Sequence, residues 1–170
     1  DLSEQISTAG FEASGTSNMK FGLNGALTIG TMDGANVEMH ERVGAEHMFI
    51  FGLSAQQVEA RKHAGEFNAG PDIAASHRLN DVLQAIRGGV FSPDDPGRYV
   101  GLIDGLIDYD RFLVCADFDS YWDAQARVEA HWHDSKEWWR SAVLNTARTG
   151  WFSSDRTIRE YATEIWKALD

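Results

Sequence analysis

Residues 26–53, ALTIGTMDGANVEMHERVGAEHMFIFGL, decide the fold class. Two segments, ALTIGTM (26–32) and HMFIFGL (47–53), are short, near-continuously apolar and rich in β-branched and aromatic residues. Such runs suit strands covered on both faces, the condition of a parallel sheet. The intervening ANVEMHERVG reads as a helix ended by Gly44, so the stretch predicts a compact βαβ unit. Two parallel strands make no independently stable sheet. Others must flank them. With no initiator Met ahead of Asp1, the expectation is the C-terminal part of a longer α/β domain.

Beyond Leu53 the periodicity turns helical. Leu79, Val82, Leu83, Ile86 and Val90 recur at helical spacing before the breaker FSPDDPG, and Tyr99, Leu102, Ile103, Leu106 and Ile107 do so before DYDRF. Asp119 is read as the cap of a helix running to about His133. Asp134, with Glu137 three residues on, opens the next, which Gly150 ends. Ser153 or Ser154 caps a last helix carrying Ile158, Tyr161, Ala162, Ile165 and Leu169. Gly101 and Gly105 share a helix face and are expected to permit close packing. The predicted organisation is a βαβ unit with a small-residue loop over residues 1–53 and a helical region over 54–170.

The 170 residues are 43% hydrophobic and 24% charged, the balance of an ordinary globular protein. No apolar run approaches the roughly 18 residues of a membrane span, and the polar start DLSEQISTAG is no signal peptide. The formal net charge of −11, with no long basic cluster, argues against a nucleic-acid partner. A neutral polymer such as a polysaccharide remains an acceptable one. The single cysteine, Cys115, excludes an internal disulfide, fits a reducing compartment and reads as a small core residue.

Upstream of the βαβ unit lies GFEASGTSNMK (10–20). Its run of Gly10, Ala13, Ser14, Gly15, Thr16 and Ser17 leads into a helix, where the N–H groups of Gly15, Thr16 and Ser17 could converge on an anion. The alternative is a plain capped turn, with Thr16 or Ser17 bonding the next turn. GFEASG supplies G-x-x-x-x-G, but Thr16 stands where a P-loop needs lysine, and G-x-G-x-x-G occurs nowhere. Lys20 falls in what reads as the first turn of the helix, where a cation is disfavoured. A broken local rule of this kind marks a candidate site. An amine beside an anion cradle is what a phosphate-bearing aldehyde cofactor requires, the lysine forming an imine and the N–H groups holding the phosphate. The alternative is a surface lysine whose stem covers Phe21. Glu12 either accepts hydrogen bonds from sugar hydroxyls or complements the helix dipole. His131 and His133 are two apart on a helix and cannot chelate one metal as an i, i+4 pair could, so no metal site is expected. Trp122, Trp132, Trp138, Trp139 and Trp166 read as packing anchors.

Residues 1–52, from DLSEQISTAGFEASGTSNMK through NGALTIGTMDGANVE to HMFIFG, resemble the α-glucan phosphorylases (glycogen, starch and maltodextrin phosphorylases) in the segment that holds pyridoxal phosphate. The resemblance continues through FSPDDPGRY and WFSSDRTIREYATEIW, so it covers essentially the whole chain. It implies that Lys20 carries pyridoxal 5'-phosphate as an imine and that the N–H groups of Gly15, Thr16 and Ser17 hold the cofactor's phosphate. Glu12, with the backbone at Ser14 and Gly15, would bind the glucosyl unit being transferred. It further implies phosphorolysis of a terminal α-1,4-linked glucose to glucose 1-phosphate, with the cofactor's phosphate as acid and base. Ser17 departs from the family's commoner Gly, a change that keeps the backbone donor.

The architecture implied is the C-terminal part of a GT-B-type, Rossmann-like domain in a cytoplasmic, homodimeric enzyme of an allosterically regulated family. The N-terminal domain and the basic side chains that grip substrate phosphate would lie upstream, so the segment should not turn over alone. Two other readings stay open: a GT-B sugar-nucleotide glucosyltransferase, which has no use for an imine-forming lysine, and a non-catalytic glucan-binding module.

Overall fold

The β-branched run Leu27–Thr31 forms strand β2, and the aromatic run Met48–Phe51 forms β3. They pair in parallel, Thr28 opposite Met48 and Thr31 opposite Phe51. The computed structural model describes residues 1–168. Helix α2 (Ala35–Val43) crosses between the two strands and ends at Gly44, whose φ of +102° suits glycine. A single 3₁₀ turn, Ala45–His47, then leads into β3. The expected βαβ unit is therefore present, with one flanking strand that sequence reasoning missed. Strand β1 (Leu2–Gln5) pairs in parallel with β2, from Leu2 opposite Leu27 to Gln5 opposite Gly30, giving the order β1-β2-β3. Its polar residues hid it. Glu4 is satisfied by Tyr121 Oη–H at 3.2 Å and Gln125 Nε2–H at 2.8 Å, so this strand needs little apolar character.

Alternation along the strands divides the core. Leu27, Ile29, Phe49 and Phe51 face Ala124 and Val128 of helix α7 (Val114–His133), together with Trp138 and Ala142 of helix α8 (Ser135–Thr149). Met48 and Ile50 point the other way, toward Met39 and Val43 of α2 and Met19 of helix α1 (Ser17–Leu23). Each fully buried aliphatic side chain among them, Leu27, Ile29, Met39 and Val43, contributes about 1.5–3 kcal/mol by leaving water. Helix α8 packs against both α1 and α2 near the N-terminal ends of the strands. Thr146 Oγ1–H donates to Gly22 O at 3.2 Å, Asn145 Nδ2–H to His47 O at 3.0 Å, and the Arg148 guanidinium to Val43 O. There Ser141 Oγ lies 3.0 Å from both His47 Nδ1 and His131 Nε2.

A second core joins helices α4 (Gly70–Ala75), α5 (His77–Arg87) and α6 (Val100–Asp108) to α7 through Ala69, Leu79, Leu83, Ile103 and Cys115. Burial and the neighbouring Asp110 push the Cys115 thiol up to about 12, which suits an inert core residue. Helix α3 (Ala55–Ala64) opens with a reciprocal capping box between Ser54 and Gln57 and packs Val58 against Ala9 and Leu113. That contact ties the loop after β1 to the helical region.

Several expectations are corrected. Helix α7 begins at Val114, and Asp110 serves its first turn by accepting the N–H groups of Val114 and Cys115 at 2.9 and 2.7 Å. Asp119 lies inside α7, where its carboxylate accepts the Ser76 hydroxyl at 2.8 Å. Val90 is exposed beyond α5. A Cβ at Gly101 or Gly105 would meet open space, so neither glycine permits a close approach. Of the named tryptophans only Trp138 is buried; Trp122, Trp132, Trp139 and Trp166 are exposed. Asp134 does cap α8 through the Glu137 N–H at 3.2 Å. Helix α9 (Ser154–Glu160) starts where expected but without a side-chain cap, and it passes into a π turn over Tyr161–Ile165. Leu169, assigned to that helix from sequence, lies outside the described residues.

Candidate functional site

The loop after β1 and the loop after β2 both leave the C-terminal edge of the parallel sheet, the edge where α/β folds place ligands. Every site residue singled out from sequence lies on the first of these loops or on α1, which follows it. Glu12, Ser14, Thr16, Ser17 and Lys20 are exposed there, and Gly15 is half-buried.

Lys20 is the fourth of the seven residues of α1. Its N–H bonds Thr16 O at 3.1 Å, and its own carbonyl accepts both the Asn24 backbone N–H and the Asn24 side-chain amide. In so short a helix the first and last turns overlap, so Lys20 belongs to both, and the dipole penalty that drew attention to it is small. The lysine stands one turn beyond the small-residue loop. Thr16 makes no side-chain cap, and the Ser17 hydroxyl donates sideways to Gln5 Oε1 at 2.9 Å. The plain capped turn is therefore not what the structure adopts. Among the described residues no backbone acceptor takes the N–H groups of Gly15, Thr16 or Ser17.

Glu12 reaches back over the loop. Its Oε1 lies 3.3 Å from where a Cβ would stand on Gly15, and its Cγ lies 3.2 Å from the equivalent point on Gly34. The carboxylate thus rests between the start of α1 and the start of α2. Gly34 has φ +51° and precedes the first residue of α2. A side chain there would be strained and would also press on Glu12.

Sequence reasoning missed the residues that hold this arrangement. Asn18 and Asn36 are both buried, and Asn18 Nδ2–H donates to Asn36 Oδ1 at 3.0 Å. Asn36 Nδ2–H donates in turn to Thr31 O at 3.0 Å and Gln5 O at 3.2 Å. One amide therefore joins the ends of β1 and β2 to the helix carrying Lys20. Gly30 makes room for it: a Cβ there would lie 2.6 Å from Asn36 Nδ2 and 2.4 Å from Gln5 O. Asp33 is buried and accepts hydrogen bonds from Ser7 Oγ–H, Gly10 N–H and Glu12 N–H at 2.7, 2.9 and 2.9 Å. Burial pushes its carboxyl up. The Ser7 hydroxyl and the N–H groups of Glu12, Gly10 and Gly34 outweigh that and hold it below the usual carboxylate range. The signal for Asp33 and Asn36 was present in DGAN, a turn motif beside a strand end, but the βαβ reading treated it as a connection only.

Next to Glu12 is an apolar cavity of about 690 Å³, lined in part by Ile6, Phe11, Phe51, Phe112 and Tyr121. His131 and His133 do not form a joint site: His131 engages Ser141 and packs edge-on to Phe49. No helix among the described residues is long and apolar enough to cross a membrane.

The sequence profile described as "Phosphorylase: Carbohydrate phosphorylase" matches residues 1–168. The chain is 53% identical over 168 residues to the brain form of glycogen phosphorylase from Bos taurus, covering 99% of this chain and 20% of that protein. It is 52% identical over 166 residues to a glycogen phosphorylase of Synechocystis sp., covering 98% and 19%. Against the muscle form from Bos taurus it is 51% identical over 166 residues, covering 98% and 20%. The chain spans about a fifth of the length of these curated relatives. A match of this extent and identity places it: the chain belongs to the carbohydrate phosphorylase family.

Proposed function

We propose that residues 1–170 form the pyridoxal-phosphate-bearing part of an α-glucan phosphorylase, which releases terminal α-1,4-linked glucose as glucose 1-phosphate at the expense of inorganic phosphate. The observation that carries this reading is the junction at the C-terminal edge of the sheet. There an exposed lysine, Lys20, stands one turn beyond Gly15, Thr16 and Ser17, whose N–H groups have no backbone acceptor among the described residues, in a chain that matches carbohydrate phosphorylases over residues 1–168.

These residues fit the cofactor. Lys20 would hold its aldehyde carbon, and the N–H groups of Gly15, Thr16 and Ser17 its phosphate, by the oriented-donor principle that serves anions elsewhere. When bound, the group supplies a phosphate able to exchange a proton with the substrate phosphate. The chain's own residues do the rest. Glu12 accepts hydrogen bonds from the glucosyl hydroxyls, and the backbone N–H groups at Ser14 and Gly15 donate to them. The Asn18–Asn36 pair ties α1, which carries Lys20, to the ends of β1 and β2.

The same reading makes residues 1–53 the cofactor-loop unit and residues 54–170 the helical remainder of a GT-B-type C-terminal domain, within a cytoplasmic homodimer whose other domain closes the cleft. The complete enzyme carrying this segment should convert α-1,4-glucan and inorganic phosphate to glucose 1-phosphate, followed by coupled assay. Glucosyl transfer from a sugar nucleotide with no phosphorolysis would overturn the reading in favour of a synthase. Glucan binding with neither activity would favour a non-catalytic module.

A further inference from the structure

Asp33 is a buried carboxylate that accepts three hydrogen bonds from one neighbouring loop, beside the N–H of the adjacent Gly34. Burying such a charge is costly unless hydrogen bonds satisfy it. The donors converge on it from the loop that follows β1: the Ser7 hydroxyl and the Glu12 N–H share Oδ2, while the Gly10 N–H takes Oδ1. The loop is curled to allow this. Gly10 has φ +88°, and Ser7 is fixed from behind by Thr31, whose Oγ1–H donates to Ser7 O at 2.7 Å. Asp33 is therefore the hub around which residues 7–12 turn, and Glu12 is the last residue it grips.

We infer that Asp33 is a positioning residue: its carboxylate fixes the backbone of Glu12 so that the Glu12 side chain is presented between Gly15 and Gly34. The inference rests on the reading above, in which Glu12 meets the glucosyl hydroxyls. The chemistry demands a carboxylate and not an amide. Asn offers one acceptor oxygen, and its NH₂ would be set against at least one of the N–H or O–H donors that Asp33 satisfies. The loop would then release the N–H of either Gly10 or Glu12, the Ser7 hydroxyl being able to turn and accept from the amide. A displacement of about 1 Å in a group that orients substrate can cost about a hundredfold in rate. Gly34 completes the device by giving the Glu12 side chain its berth immediately after the residue that holds its backbone.

The test is a double-mutant cycle in the complete holoenzyme: Glu12→Gln, Asp33→Asn and the pair, with kcat and KM for glucan and the yield of borohydride-fixed pyridoxyl adduct on Lys20. Asp33→Asn should lower kcat/KM about ten- to a hundredfold with full adduct yield. In the Glu12→Gln background it should have little further effect, because residues acting through one contact are not additive. Ser7→Ala, which removes one donor and leaves the carboxylate, should give a severalfold loss that also vanishes in the Glu12→Gln background. It decides the matter alone should Asp33→Asn not accumulate as folded enzyme. A silent Glu12→Gln would overturn the sugar-binding reading of Glu12 and the inference with it. A costly Glu12→Gln whose effect merely multiplies with that of Asp33→Asn or Ser7→Ala would overturn the positioning role alone.

Discussion

Replacing Asn36 with alanine should detach the lysine-bearing helix from the sheet. The Asn36 side chain makes three hydrogen bonds, donating to Thr31 O and Gln5 O and accepting from Asn18 Nδ2–H. Each is worth about 0.5–1.5 kcal/mol net, and stranding a buried partner costs more than the mean bond. Asn18 is such a partner, since it is only 3% exposed. The sum is a loss of about 2–4 kcal/mol. The residues on the far side of the amide are Asn18 and, two positions on, Lys20, so the weakening should be concentrated in α1. Hydrogen exchange followed by mass spectrometry on the complete enzyme should show amides of residues 18–26 exchanging about a hundredfold faster, at about 1.4 kcal/mol per tenfold. Amides of α5 and α6, which belong to the second core, should be unchanged. If α1 kept its protection while only the start of α2 loosened, the claim that Asn36 links sheet and lysine helix would be refuted.

Three further outcomes are expected. Gly30→Ala places a Cβ 2.4 Å from Gln5 O and 2.6 Å from Asn36 Nδ2, backbone and a pinned amide that cannot yield. It should cost about 3 kcal/mol or more in a chemical-denaturation experiment, and a near-neutral variant would contradict the packing described. Burial lowers the pKa of His47 against the opposing Glu46, with Arg148, Arg140 and His131 pushing the same way as burial. A histidine depressed in the folded state binds more protons when unfolded. Stability should therefore rise with pH up to the ordinary histidine value near 6.5, stay level above it and fall in acid. His47→Asn should flatten the acid slope of the urea midpoint. Among the described residues β1 pairs only with β2, so residues 1–170 on their own should self-associate through the open edge of the sheet. Light scattering that found a monomer at every concentration would contradict this.

The parts of the fold legible in the sequence were those written in apolar periodicity. The strands around Ile29 and Phe49, the helix between them and the helices carrying Leu79 and Ile103 all follow from it, because burial on both faces leaves no choice of residue type. Strand β1 was illegible because side chains elsewhere, Tyr121 and Gln125, satisfy its Glu4 across 117 and 121 positions of sequence. The start of α7 was misplaced for a similar reason. Asp119 looked like a cap, while the cap in use is Asp110, before a residue with positive φ, Leu113, that no periodicity reveals. In the site, the small-residue loop and Glu12 were visible as composition. The groups that hydrogen-bond the loop and α1, Asp33, Asn18 and Asn36, were not, since a buried polar residue advertises itself only once its partners are known. The lysine was singled out by an argument about helix dipoles that a seven-residue helix barely supports. Its candidacy rests instead on the resemblance of EASGTSNMK to the α-glucan phosphorylases, together with its place one turn beyond the loop.

The most direct test of that candidacy is chemical. The complete holoenzyme would be reduced with borohydride, digested and mapped by mass spectrometry for a pyridoxyl group. One modified peptide is expected, covering Met19–Lys20–Phe21, with the adduct on Lys20 and none after Lys20→Ala. An active holoenzyme bearing the adduct on another lysine, or yielding none, would contradict it.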